Sequence, residues 1–407
     1  MRPMAATGDT AKPHWQDRLM APPVRSMAWQ ALGSASTLAC AAWVSLYVGI
    51  GAQGQFALIK SWFDAAIVLA ALGLPQGLLH LQYRLKFSGY QICRQLAPWV
   101  AGVGASCVVS GVVMLALGWP QTAALLIALP GGVIHLLARS VVLVERGVVV
   151  FGFLTALPAM LLLLALLAWT LGGQVQHFEW PILASTVLAG VWASMQAWRA
   201  ARRAERRAEL PWPGRELWSV CAQSWWQMAF GSLLGAGLLS TVAFLGGESV
   251  AVGEASLGIY VYQLFATLAG YLAPVLYDHF ARQSAPTLRG WPRPARLGAV
   301  LAVAVALLGL AVGVLRPDWA RWLMPMSLMT LAGVAAVAAR VTATVLLARG
   351  DYLELSAQAA WRLALAVLVV AVALRVLPSA AAVALALLTI ESATWWRATQ
   401  RLKKGQP

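Results

Sequence analysis

Apolar runs of about 20 residues, the length that crosses a bilayer, follow one another along nearly the whole chain. Twelve can be laid out: near 27–51, 62–83, 97–118, 122–144, 147–170 and 180–198, then 218–246, 253–276, 297–316, 322–347, 354–376 and 378–396. Runs this long predict α-helices, because a helix satisfies its own backbone in hydrocarbon. Glu145-Arg146 separates the fourth run from the fifth and is the tightest divider. Between the sixth and seventh runs lies RAARRAERRAELPWPGRE, the long polar segment of the chain interior, which reads as a basic helical linker stopped by Pro211 and Pro213. The predicted organisation is a polar tail (1–26), a first lobe (27–198), the linker (199–216), a second lobe (217–396) and a basic tail (397–407). The predicted fold class is an all-α polytopic membrane protein, with about twelve transmembrane helices in two six-helix lobes around a central cavity.

Two stretches suggest that the lobes are copies. GQFALIKSWFDAAIVLAALGLPQGLLHLQYR (54–84) has a counterpart in GIYVYQLFATLAGYLAPVLYDHFAR (258–282). In this alignment Gly54 answers to Gly258, and Pro75 followed by Arg84 answers to Pro274 followed by Arg282. The interval is about half the chain, as expected of a duplicated membrane protein.

Composition fits this pattern. The chain has 407 residues, of which 60% are hydrophobic and only 11% charged, against about 25% charged in soluble domains. The net charge is +15. No polar stretch is long enough to fold as a nucleic-acid-binding domain, so the excess reads as membrane topology. On the twelve-span layout 25 of the 30 Lys and Arg fall on one side and 4 on the other, among them Lys60. That asymmetry predicts a multi-pass protein with both termini cytoplasmic. The first apolar run, about 24 residues, exceeds a signal-peptide core and is expected to be a retained helix. The four cysteines form no CxxC pair and have no His at ligand spacing, so neither a disulfide framework nor a metal site is expected. Tryptophans near span ends, Trp43, Trp62, Trp119 and Trp169 among them, read as interfacial anchors.

No phosphate-cradling GxxxxGK[ST], GxSxG, HExxH or paired acidic motif occurs, so the sequence suggests no enzyme, no ATP hydrolysis and no cofactor. What remains is a set of polar groups at membrane depth, where each is costly. Arg139, Arg340 and Arg362 lie one to two turns inside one end of their helices. If they converge, they form a cationic vestibule suited to phosphate oxygens; each can instead snorkel to headgroups. Glu391 lies at a depth comparable to Arg362, so the two can form a pair, either static or broken during transport. Asp64 follows Lys60 by four residues and reads first as a surface pair at the outer boundary, second as a cation ligand. Glu254 reads first as a helix N-terminal charge. Asp64, Glu254 and Glu391 are thus the candidates for ion coupling or gating, with Na+ or H+ as the ion. Gln30, Gln223 and Gln227 mark polar faces that either line a cavity or glue helices together. His135 reads as interfacial. Pro75, Pro130, Pro158, Pro274 and Pro325 are expected to bend their spans.

The 54–84 stretch resembles the Gly-x-[Phe/Tyr]-Ala … Leu-Gly-Leu segment near the start of polysaccharide-repeat flippases of the Wzx type. These belong to the multidrug/oligosaccharidyl-lipid/polysaccharide exporter superfamily. ASLGIYVYQLFATLAGYLAPVLYDHFAR (255–282) is similar to the corresponding place in their second half. The resemblance implies a carrier in a bacterial inner membrane that moves a polyprenyl-pyrophosphate-linked oligosaccharide repeat unit from the cytoplasmic to the outer leaflet by alternating access, for surface polysaccharide biosynthesis. It also implies membrane lipids, and possible glycosyltransferases and a polysaccharide polymerase, as partners, and no nucleic acid. Twelve spans argue against the fourteen-span lipid II branch. Three other readings compete: a cation-coupled drug or metabolite antiporter of the same superfamily, a membrane polysaccharide polymerase, and a scaffold for glycosyltransferases. The intramembrane excess of arginine speaks against the antiporter. The short outer loops speak against the polymerase.

Overall fold

The structure is a computed structural model that describes residues 22–203, 210–281 and 293–404. Most of the expected N-terminal tail, part of the central linker, Arg282 and the last three residues lie outside the described residues.

Among the described residues the chain forms thirteen α-helices. These are α1 (Pro22–Trp43), α2 (Ile50–Ala70), α3 (Leu74–Tyr83), α4 (Gly89–Ala116), α5 (Pro120–Arg146), α6 (Val148–Leu171) and α7 (Glu179–Arg203), then α8 (Gly214–Gly246), α9 (Ser249–Ala281), α10 (Arg293–Leu315), α11 (Pro317–Arg349), α12 (Tyr352–Ala373) and α13 (Ser379–Lys404). Eight are individually long and apolar enough to cross a bilayer, and the α2–α3 pair, bent by 47°, makes a ninth. Counting α2 and α3 as one broken span, the helices make twelve passes.

Local chemistry sets the boundaries. Ser88 caps α4 by accepting from the Gln91 N–H, 3.2 Å away. Pro75, Pro120 and Pro317 occupy first-turn positions, where a missing N–H has no cost. Pro75 therefore starts α3 and bends nothing; the break before it falls at Gly73, in the left-handed region at φ 71°. Pro130, Pro158 and Pro325 sit inside continuous helices. The tight divider between the fourth and fifth spans falls at Gly147, one residue beyond Glu145-Arg146.

One boundary differs substantially from expectation. The second pass starts at Ile50, after a π turn at Val44–Val48 and Gly49, and not near residue 62. Gly51, Gln53, Gly54 and Gln55 look like a loop because their side chains are small or polar, but they are helical. Lys60 and Asp64 therefore lie inside α2, and Lys60 is not a loop residue.

Each lobe repeats one packing scheme. In the first, α1 packs on α6, α5 on α7, α4 on α5 and α6 on α7; in the second, α8 packs on α12, α11 on α13, α10 on α11 and α12 on α13. The lobes meet through α2 against α9 and α8, with α9 also touching α1. One apolar core spans α8, α9, α11, α12 and α13 and takes in Ala57 of α2. Two others fill the first lobe, one of them extending to Leu217 and Cys221 of α8. The register of the duplication also differs from expectation. At the lobe contact Gly54 faces Ser249 and Gly253, and Gly253 faces Ile50, while Gly258 packs on Met329 within its own lobe. Gly54 thus corresponds to Gly253.

Candidate functional site: a charged cavity walled by both lobes

A cavity of about 410 Å³ opens in the first lobe and is closed on one side by α8 and α9 of the second. Helix α2 presents one face to it. Ala57, Lys60, Asp64 and Ile67 follow at intervals of three or four, the spacing of one helical stripe. Lys60 Nζ lies 2.5 Å from both Asp64 carboxylate oxygens, one turn apart on that stripe. The Asp64 side chain is 53% exposed, so the pair stands open to the cavity and is not sealed in the core.

Helix α5 supplies the facing charges. Arg139 lines the cavity and stacks over the Phe151 ring of α6, with 5.2 Å from guanidinium carbon to ring centroid. One turn before it, His135 Nε2 lies 2.8 Å from the Leu154 carbonyl. A carbonyl only accepts, so Nε2 carries the proton and Nδ1 is left as an acceptor when the ring is neutral. The wall from the second lobe is a polar face of α9 that includes Ser256, Tyr260 and Gln263. Gln53 Nε2 donates to Ser256 Oγ across the lobe contact at 3.3 Å, from a fully buried position. With His135 neutral, the cavity holds two cations, Lys60 and Arg139, and one anion, Asp64.

Of the residues singled out from sequence, Asp64 and Arg139 share this cavity. The three arginines do not converge: Arg340 and Arg362 lie in the second lobe. Arg340 Nη1 donates to the Ala266 carbonyl at 3.0 Å, and Arg362 pairs with Glu391. Neither snorkels as its only option, since each has a protein acceptor. Glu391 is wholly buried and also accepts from Tyr262 Oη at 2.5 Å. Glu254 is half-buried in the second turn of α9, away from the cavity lining. Gln30 is buried and donates to Ser26 Oγ at 3.1 Å; the α1 wall is formed by Thr37 and Cys40 instead. Gln223 Nε2 reaches Ser219 Oγ at 3.4 Å and Gln227 is half-buried; neither lines the cavity. Trp62 does not anchor a span end: its Nε1 donates to Ser240 Oγ of the other lobe at 2.9 Å.

Sequence reasoning passed over Tyr260, Gln263 and the cavity role of Lys60 and His135. The α2 stripe was readable: Gln53, Lys60 and Asp64 lie seven and four residues apart, on one helical face. It was missed because the start of the span was placed too late.

No protein-family profile matches the chain, and no curated relative does. Solved structures match over nearly its whole length. The inward-facing conformation of a multidrug resistance MATE family transporter of the MOP superfamily has a TM-score of 0.61 at 13% identity, covering 95% of this chain and 100% of that one. The outward-facing conformation of such a transporter gives 0.66 at 14%, covering 95% and 97%. A crystal structure of MATE in complex with Br-NRF gives 0.63 at 15%, covering 95% of each. In architecture, two six-helix lobes around a central cavity, this membrane chain has the fold of the MATE transporters of the MOP superfamily.

Proposed function

We propose that this protein is an alternating-access, cation-coupled carrier that moves a small amphipathic drug-like molecule or metabolite, with Na+ or H+ as the coupling ion. The observation that carries the reading is the cavity with the open Lys60–Asp64 pair. Its volume of about 410 Å³ falls within the range of small-molecule sites, about 300–1,000 Å³. A pyrophosphate-linked oligosaccharide is larger. The arginines that would have favoured such a substrate are divided between the lobes.

The charges suggest a coupling scheme. A proton or Na+ arriving at Asp64 competes with the Lys60 ammonium for the same carboxylate. Release of Lys60 changes the charge that a substrate meets in the cavity. An ion bound at Asp64 and an organic anion bound at Arg139 are then linked, and the linkage acts equally in both directions. Rocking of the lobes would expose the cavity to each side in turn. Both termini cytoplasmic is the orientation that the basic loops favour, and a bacterial inner membrane is the location that the resemblance to Wzx-type flippases favours.

The test is flux in proteoliposomes. Anionic carboxyfluorescein and cationic ethidium are offered under an imposed Na+ or pH gradient. Gradient-driven movement of carboxyfluorescein that disappears in Asp64→Asn supports the reading. Failure of both dyes under both gradients overturns it.

A second reading has its own observation. Two cations against one anion suit a phosphorylated headgroup, in keeping with the resemblance to Wzx-type flippases. Gradient-independent loss of a fluorescent polyprenyl-pyrophosphate sugar from one leaflet would select it.

A further inference from the structure

Helix α9 carries two stripes with different partners. Ser256, Tyr260 and Gln263 face the cavity. Tyr262 and Ala266, four residues apart, face the interior of the second lobe, where both are buried. Three helices of the second lobe each send one charged side chain toward this second stripe or its partners. From α13, Glu391 Oε1 accepts the Tyr262 hydroxyl at 2.5 Å. From α12, Arg362 pairs with that same oxygen. From α11, Arg340 Nη1 donates to the Ala266 carbonyl at 3.0 Å.

Charge at membrane depth is costly and tends to be retained where it performs a task. Here the task is not contact with the cavity, because neither Glu391 nor the two arginines line it. Nor is simple burial a sufficient account, because apolar side chains of similar size would fill the lobe at no greater cost. Glu391 instead ties together two charged or hydroxyl partners from different helices, one of them on the helix that walls the cavity. Among the described residues Glu391 Oε2 and Arg362 Nε have no hydrogen-bond partner, so the tie rests on a single carboxylate oxygen.

We propose that Glu391, with Arg362 and Arg340, positions the cavity wall: by holding Tyr262 and the Ala266 carbonyl it fixes the rotation of α9, and so the placement of Tyr260 and Gln263. The inference rests on the reading of that cavity as the transport site, but it can be tested with no substrate.

The experiment uses full-length protein in lipid nanodiscs with its four cysteines replaced by alanine. Gln263→Cys reports on the α9 wall and Thr155→Cys on the α6 wall of the same cavity. The probe is a charged methanethiosulfonate, and the quantity read is its modification rate. Glu391→Gln and Tyr262→Phe are each expected to change the rate at position 263 by about threefold or more, a modest population shift. The rate at position 155 should stay within about twofold. An unchanged rate at 263 in both variants overturns the proposal. Equal changes at both positions also overturn it, because they signal general loosening. If no dye is transported yet the rate at 263 alone shifts, the functional reading fails and the positioning role stands.

Discussion

Gly54 of α2 and Gly253 of α9 lie against each other's helix across the lobe contact in mirrored fashion. A Cβ on Gly54 would overlap the Ser249 carbonyl, and a Cβ on Gly253 would overlap the Ile50 carbonyl. Gly54 is four residues from Ile50, and Gly253 is four from Ser249, so the contact reads the same from either lobe. Small residues at such crossings let two backbones approach closely. The contact closes the bundle at the end where α2 begins and α8 turns into α9.

That closure predicts a lock. A Cβ on Gly51 would lie 3.8 Å from Ser249 Cβ, within the span of about 3.5–4.5 Å that a disulfide requires. Gly51→Cys with Ser249→Cys, in a background without other cysteines, should cross-link under mild oxidation. Mass measurement and non-reducing gels report the bond. Flux should stop in the oxidised protein and return with reductant, because a transporter that must open this end cannot do so while stapled.

The Lys60–Asp64 pair predicts two unlike variants. Asp64→Asn removes the carboxylate for which a cation competes, so gradient-driven dye flux should fall about tenfold or more. Lys60→Met leaves the carboxylate unpaired, so the ion no longer competes with the ammonium and the Na+ or H+ concentration that half-saturates flux should fall. Counterflow of dye without a gradient should survive in Asp64→Asn, since its cavity and Arg139 are intact. Parallel loss of both activities would point to misfolding, which size-exclusion elution checks.

The twelve passes and their duplication were legible because hydrocarbon demands long apolar helices, and Glu145-Arg146 marked a true boundary next to Gly147. The start of the second pass was not, since Gln53 and Gln55 depress hydropathy there while helping to build the lobe contact. The repeat register slipped because Gly258, like Gly253, is a glycine in a small-residue stretch of the same helix. Convergence was not legible at all. Depth along a helix places Arg139, Arg340 and Arg362 at similar levels. Which way each points depends on the rotation of its helix in its own lobe, and hydropathy carries little of that. The Arg362–Glu391 pairing did follow from depth, because two opposite charges buried at one level have few other partners.

Arg139 predicts a graded series. Its guanidinium lies over Phe151, a contact worth about 0.5–2 kcal/mol. Arg139→Lys keeps the charge but loses the planar stacking face, whereas Arg139→Gln loses both. The half-saturation concentration for carboxyfluorescein should rise modestly in Arg139→Lys and Phe151→Leu, and about tenfold or more in Arg139→Gln. Equal values in all three would remove Arg139 from the binding surface.

The kink of the second pass predicts a stability effect separate from transport chemistry. Gly73 holds φ 71° between α2 and α3, and a Cβ there would overlap the Cys221 carbonyl of α8. The carbonyl of Gly73 accepts from Ser224 Oγ at 3.3 Å as well as from the Gln76 and Gly77 N–H groups, and that of Leu69 accepts from Trp225 Nε1 at 3.0 Å as well as from the Leu72 N–H, so α8 adds a side-chain donor on each side of the break. Gly73→Ala costs about 1–2 kcal/mol for the left-handed backbone alone, and the overlap with α8 adds to it. The expected result is a melting temperature lower by several degrees in detergent. Trp225→Phe should give a smaller drop, because it loses one hydrogen bond and keeps the packing. If Gly73→Ala melts like the parent, the kink is not held in this geometry, and the inter-lobe contact at Cys221 is looser than the structure shows.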